Sequence, residues 1–159
     1  MFSMLDIERR LDDLQERLRR APGVTPDLML KVVAGACTRI ATPGCAVKAA
    51  RINRLIESEA WTEAALALVE LELPLWKLRR LVHEEGIWLC SLSKQWNLPD
   101  WLSDNAESRH ESLPLAILSA LVEAHRCAEA PSRRVTGSVP QCRAESGSCV
   151  ETLCCDNFG

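Results

Sequence analysis

Residues 61–93 read WTEAALALVELELPLWKLRRLVHEEGIWLCSLS, and the change of period inside this stretch decides the fold. From Thr62 to Leu73 apolar residues stand almost all round a helical projection, and Pro74 ends the run by removing a backbone donor. LWKLRRLVH and IWLCSLS then read as strands joined through EEG, where Gly86 supplies the positive φ that a tight reversal needs. A helix feeding a β-hairpin at about residues 75–93 is therefore expected. All five tryptophans (Trp61, Trp76, Trp88, Trp96 and Trp101) lie in or just after the stretch, which marks it as the organiser of the core.

The hairpin register stays open at this level. A loop of Glu84-Glu85-Gly86 places Leu78, Arg80 and Val82 on the face of Trp88, Cys90 and Leu92, whereas a loop of Glu85-Gly86 places Arg79, Leu81 and His83 there. Either register groups Trp88, Cys90 and Leu92 beside a basic residue and predicts those three buried.

Working back from the hairpin, Met4, Ile7, Leu11, Leu14 and Leu18 recur at spacings of three and four, with Ser3 and Asp6 as a capping-box start and Arg19 and Arg20 at the end. A helix over residues 4–20 follows, supported by the pairs Asp6–Arg10, Asp13–Arg17 and Glu16–Arg20. Its narrow stripe suits packing on a domain edge or a short coil between protomers. Thr25-Pro26-Asp27 starts a second helix, with Leu28, Val32, Val33, Ala36, Cys37 and Ile40 as its apolar face. After Thr42-Pro43-Gly44 a third helix reaches about Ser58, with Val47, Ile52, Leu55 and Ile56 inward and Lys48, Arg51 and Arg54 outward. Beyond the hairpin, Lys94 to Glu111 reads as loop, and Ser112 and Pro114 open a last helix to about Arg126 with Leu113, Ile117, Leu118, Leu121 and Val122 on one side.

The fold class expected is mainly α: one domain over residues 1–129, about five helices with one β-hairpin, and a flexible tail over 130–159. The tail is rich in Ser, Gly, Pro and Arg and has too few large apolar residues to offset its ordering entropy.

Composition narrows the function classes. A net charge of −3 argues against a generally basic, phosphate-binding surface. The start MFSMLDIERR turns charged within six residues and no run of about 18 apolar residues occurs, so neither an export signal nor a membrane span is expected and the chain is placed in the cytosol. Eight cysteines is a high count, but without export a disulfide framework is disfavoured. Cys37, Cys45, Cys90 and Cys127 fall in periodic segments where a thiol behaves as a small hydrophobe.

Cys142, Cys149, Cys154 and Cys155 crowd the tail, and their spacing contains no CxxC knuckle and no histidine. They stand as weak metal ligands, as a redox or modified cluster, or as incidental thiols. Cys90 beside a basic residue could be an activated thiolate, against the simpler reading of a packed core cysteine. His83, His110 and His125 read as ordinary solvated or helix-end histidines. No Gly-rich phosphate loop, HExxH, GxSxG or paired-carboxylate constellation appears, so neither a catalytic site nor a cofactor is expected.

Three helices followed by a hairpin is also the order of a winged helix-turn-helix. The helix in the recognition position carries Glu63, Glu70 and Glu72 and no basic residue, which argues against entry into a major groove. Lys77, Arg79 and Arg80 on the hairpin with Lys48, Arg51 and Arg54 on the third helix could still form a patch for DNA.

The run WTEAALALVELELPLWKLRRLVHEEGIWLCSLSKQWNLP, continued by SLPLAILSALVEA, resembles a family of small uncharacterised bacterial proteins of the rhizobial alphaproteobacterial kind, over about residues 60–126. The resemblance implies a bacterial cytosolic protein and assigns no site. The leading expectation is a non-enzymatic interaction or regulatory protein that meets a protein partner or a second copy through Ile7, Leu11, Leu14 and Leu18. A winged-helix-like DNA regulator, and a thiol or metal sensor acting through the tail cysteines, are the alternatives.

Overall fold

The computed structural model describes residues 4–95, 97–99 and 104–129. The chain runs α1 (Met4–Arg20), α2 (Pro26–Ala36), two single 3-10 turns (Arg39–Ala41 and Pro43–Cys45), α3 (Ala46–Glu57), α4 (Trp61–Glu72), β1 (Lys77–Glu84), β2 (Ile87–Ser93), β3 (Asn105–His110) and α5 (Leu113–Glu129). The mainly helical class and the hairpin hold. The strands form an antiparallel sheet of order β1-β2-β3, so the hairpin is two thirds of a larger sheet.

β3 was expected to be loop. Its sequence, NAESRH, offers only one apolar residue, because the face turned toward α5 is built from small side chains: Ala106 is fully buried and Ser108 nearly so. Small residues let the helix backbone approach, and the Ser108 hydroxyl donates to the Ala116 carbonyl inside α5. The Ala106–Ser108–His110 row lies opposite Leu92, Cys90 and Trp88.

α5 is the central element. It packs on β2 and β3 on one side and on α1, α4 and α2 on the other, and every residue from Leu115 to Val122 is buried. α4, apolar as it is, is covered on a single broad side through Ala64, Ala65, Leu68, Val69 and Leu71. α1 closes the far layer with Leu11, Leu14 and Leu18. Its surface is laced by Arg17–Asp13 (2.7 Å), Arg19–Glu16 (2.7 Å) and Arg20–Glu16 (2.6 Å). α1 and α2 cross at Gly35, where a Cβ would lie 2.6 Å from Leu14 Cδ1.

α2 starts as expected: the Thr25 hydroxyl accepts from the Leu28 amide at 3.2 Å, and Pro26 opens the first turn. It stops at Ala36, short of Ile40, because the next backbone donors are taken by another part of the chain. Glu72, at the end of α4 and only 4% exposed, accepts from the amides of Thr38 (3.1 Å), Arg39 (3.0 Å) and Ile40 (2.8 Å). Three successive N–H groups converging on one carboxylate make a concave anion site, filled here by the chain's own side chain. This buried acid fastens the α2–α3 connection to α4. In α3, Ile52 is buried and Leu55 and Ile56 are half-buried as expected, but Val47 is 85% exposed. Five residues from Ile52, it sits about 140° away round the helix.

Candidate interaction surface

Gly86 and Glu85 both take positive φ, 82° and 52°, which is the pair a type I′ turn requires. The loop is therefore Glu85-Gly86, with Glu84 opposite Ile87, His83 opposite Trp88 and Leu81 opposite Cys90. An irregularity between Leu78 and Arg80 then moves Leu78, in place of Arg79, opposite Leu92. The row facing α5 is completed on β1 by Leu78, Leu81 and His83.

An α-helix about 10 Å across covers two strands spaced about 4.8 Å apart, and α5 is spent on β2 and β3. β1 overhangs. Its inner-face Leu78 and Leu81 are 43% and 36% exposed, and Leu75, in the turn before the strand, is 70% exposed. Between α4 and the start of β1 opens a cleft of about 520 Å³, lined by Leu66, Val69, Leu73, Trp76 and Leu78 with Glu70 and Lys77 at its polar margin. Trp76 is buried, with the Lys94 ammonium 5.8 Å over its ring. Among the described residues no strand pairs with the free edge of β1.

The residues singled out from sequence fall as follows. Leu11, Leu14 and Leu18 are buried inside the chain's own core with Ile7 packed against it, so the α1 stripe lies against α5 and α2. Only Met4 and Leu5 of α1's large apolar residues stand in solvent. Cys90 and Leu92 are fully buried, and Trp88 is half-buried with its ring 4.5 Å from that of His83. Burial pushes the Cys90 thiol up to about 12 and drives that of Cys37 higher still, with the Glu72 charge adding to the effect. Neither is poised as a thiolate near neutral pH. Cys127, exposed near the end of α5, is also raised, chiefly by burial and then by Glu123 and Asp104. Cys142, Cys149, Cys154 and Cys155 lie outside the described residues.

His110 Nδ1 accepts from the Ser112 amide at 2.9 Å and so holds the entry to α5. His125 is half-buried beside Ile7, Leu11 and Ala36. Lys77 and Arg80 are exposed on β1, and Lys48, Arg51 and Arg54 are exposed on α3, which packs on α4. Of the glutamates on α4, Glu63 and Glu70 face solvent and Glu72 is the buried clamp. A second cleft, of about 370 Å³, brings Arg19, Arg20, Arg109 and His110 together. Glu16 already pairs with Arg19 and Arg20, and Glu111 stands on the same rim, so much of its charge is offset.

The exposure of Leu75, Leu78 and Leu81 was not foreseen. Its signal was available: three strands against a single following helix leave one strand uncovered, but β3 had first to be recognised. Among the described residues no helix is long and apolar enough to cross a membrane, and no group of three or more His, Cys, Asp or Glu is placed to hold a metal ion. Comparison with protein-family models, with curated proteins and with solved structures finds no match.

Proposed function

We propose that this chain is a non-enzymatic interaction or regulatory protein whose contact surface is the overhanging hairpin rather than α1. The observation that carries the reading is the exposure of Leu78 and Leu81 on the inner face of β1, beyond the cover of α5, with Leu75 exposed in the turn before the strand and Leu78 lining the cleft against α4. A single exposed leucine is ordinary, whereas uncovered leucines on the inner face of a strand whose outer edge pairs with no other described strand mark a surface that is covered in use. The α1 stripe supports the shift by its position, since it contributes its leucines to the core.

The test is association measured on the full chain and on Leu75→Lys/Leu78→Lys, with circular dichroism as the check on folding. A stoichiometric complex, with a second protein or with itself, that the double variant loses while its helix signal stays unchanged supports the reading. Association that survives the double variant, or its absence at every concentration up to the solubility limit, overturns it.

A further inference from the structure

We infer that the surface closing on β1 is β1 of a second copy, giving a two-fold symmetric dimer with one six-stranded sheet; this rests on the reading of the hairpin as the contact surface. The argument begins with hydrogen-bond phase. A two-residue turn makes Glu84 and Ile87 a hydrogen-bonded pair, so Val82 and Arg80 also turn their backbone groups toward β2, while His83 and Leu81 turn theirs to the open edge. The strand thus offers two residues' worth of donors and acceptors, in the correct alternation, to a neighbour.

Charge then selects the register. A two-fold axis perpendicular to the sheet pairs residues lying on the same face, so the dyad must fall on a residue. With the axis on Arg80, that arginine meets its own copy. With it on Leu81, Arg80 meets Val82. With it on Val82, Arg80 lies opposite Glu84 of the second copy and Glu84 opposite Arg80. Opposite charges placed directly across a strand pair are stabilising and like charges are not, and within the regular stretch from Arg80 to Glu84 the Val82 axis alone makes such a pair, twice. The same register sets Leu81 opposite His83 of the second copy as a hydrogen-bonded pair, and this happens twice. The inner face becomes a continuous row in which His83, stacked on Trp88, adjoins Leu81 of the other molecule. The turn of each molecule then lies beside the start of the other's β1, at the margin of the cleft that Leu78 lines. The two overhangs left by α5 in each copy thereby cover one another.

Light scattering on the full chain, from micromolar to high micromolar concentration, reads the assembly. The expected result is a concentration-dependent doubling of mass. R80E alone and E84R alone each set like charges opposite one another at two places and weaken the dimer about tenfold or more, while the R80E/E84R double swap restores it. V82C places two thiols across a non-hydrogen-bonded pair, where Cα atoms about 4.5 Å apart suit a disulfide, and mild oxidation then cross-links position 82 to position 82 as read by peptide mass. A chain that stays monomeric throughout, or a dimer that neither single charge reversal weakens, overturns the proposal. If a complex with a different protein forms and is lost on Leu75→Lys/Leu78→Lys while the chain alone stays monomeric, the dimer fails and the interaction reading survives; loss of every association fails both.

Discussion

Glu72 gives the sharpest quantitative test of the fold. Its carboxylate accepts three backbone N–H groups at 2.8–3.1 Å from residues 32 to 34 positions away, and the residue is 4% exposed. A hydrogen bond to a charged acceptor contributes about 1.5–3 kcal/mol, and unsatisfied buried donors carry a desolvation cost in addition. The three amides are only partly buried, so water recovers some of the loss in Glu72→Ala, which we place at about 3–4 kcal/mol. Glu72→Gln keeps one acceptor oxygen and the volume but turns an NH₂ toward at least one amide, for a loss of roughly 2 kcal/mol. Urea unfolding followed by tryptophan fluorescence measures both, with the thermal midpoint of the Ala variant falling by roughly 10 °C. Alkylation of Cys37, buried immediately before the three amides, supplies a local readout, because loss of the clamp opens the α2–α3 connection. A Glu72→Ala variant less than about 1 kcal/mol weaker than the parent, or equal losses for Ala and Gln, would refute the reasoning.

Burial raises the thiols of Cys37 and Cys90, so they stay protonated in the folded chain at pH values where the unfolded chain has lost those protons. Their contribution is complete below the unfolded value near 9 and declines as pH rises toward about 12 for Cys90, with a slope approaching about 1.4 kcal/mol per pH unit for each thiol; Cys90→Ala should flatten urea midpoints measured from pH 8 to pH 11 by one thiol's share. Gly35→Ala forces its Cβ against Leu14 and should cost about 1–3 kcal/mol, less about 1 kcal/mol regained in helix propensity, as read by thermal unfolding. Glu85→Asn suits the positive φ of the turn and should raise stability by up to about 1 kcal/mol in the same assay. Val47→Lys, at a position 85% exposed, should change stability by less than about 0.5 kcal/mol.

The helical part of the fold was legible because its signals are local. The α1 stripe, the Thr25-Pro26 start and the Pro74 stop each act within one or two turns, and each appears where expected. β3 was not legible because its inward residues, Ala106 and Ser108, are chosen to fit against a helix backbone and carry little hydrophobic contrast. Glu72 looked like one more acidic residue on α4; its partners are more than thirty residues upstream, and nothing in its neighbours in sequence announces them. The hairpin loop was narrowed to two choices, and the paired positive φ values of Glu85 and Gly86 select between them. The irregularity at Arg79, which puts Leu78 in place of an arginine opposite Leu92, has no sequence signature. The candidate surface was hidden for the same reason as β3: without the third strand, α5 looks wide enough to cover the hairpin.

The enclosure of α5 has a consequence for how the protein comes into being. Among the described elements it is made last, yet it is the floor for α1 and α4 and the cover for β2 and β3. Between the synthesis of Leu11 and that of Leu121 a ribosome adding 5–20 residues per second spends roughly 6–20 s, and through that interval the leucines of α1 and α4 lack the helix that completes their burial. The nascent chain is therefore a client for holding chaperones until α5 arrives. A message truncated before α5 would yield a product that proteases remove rather than a smaller working protein.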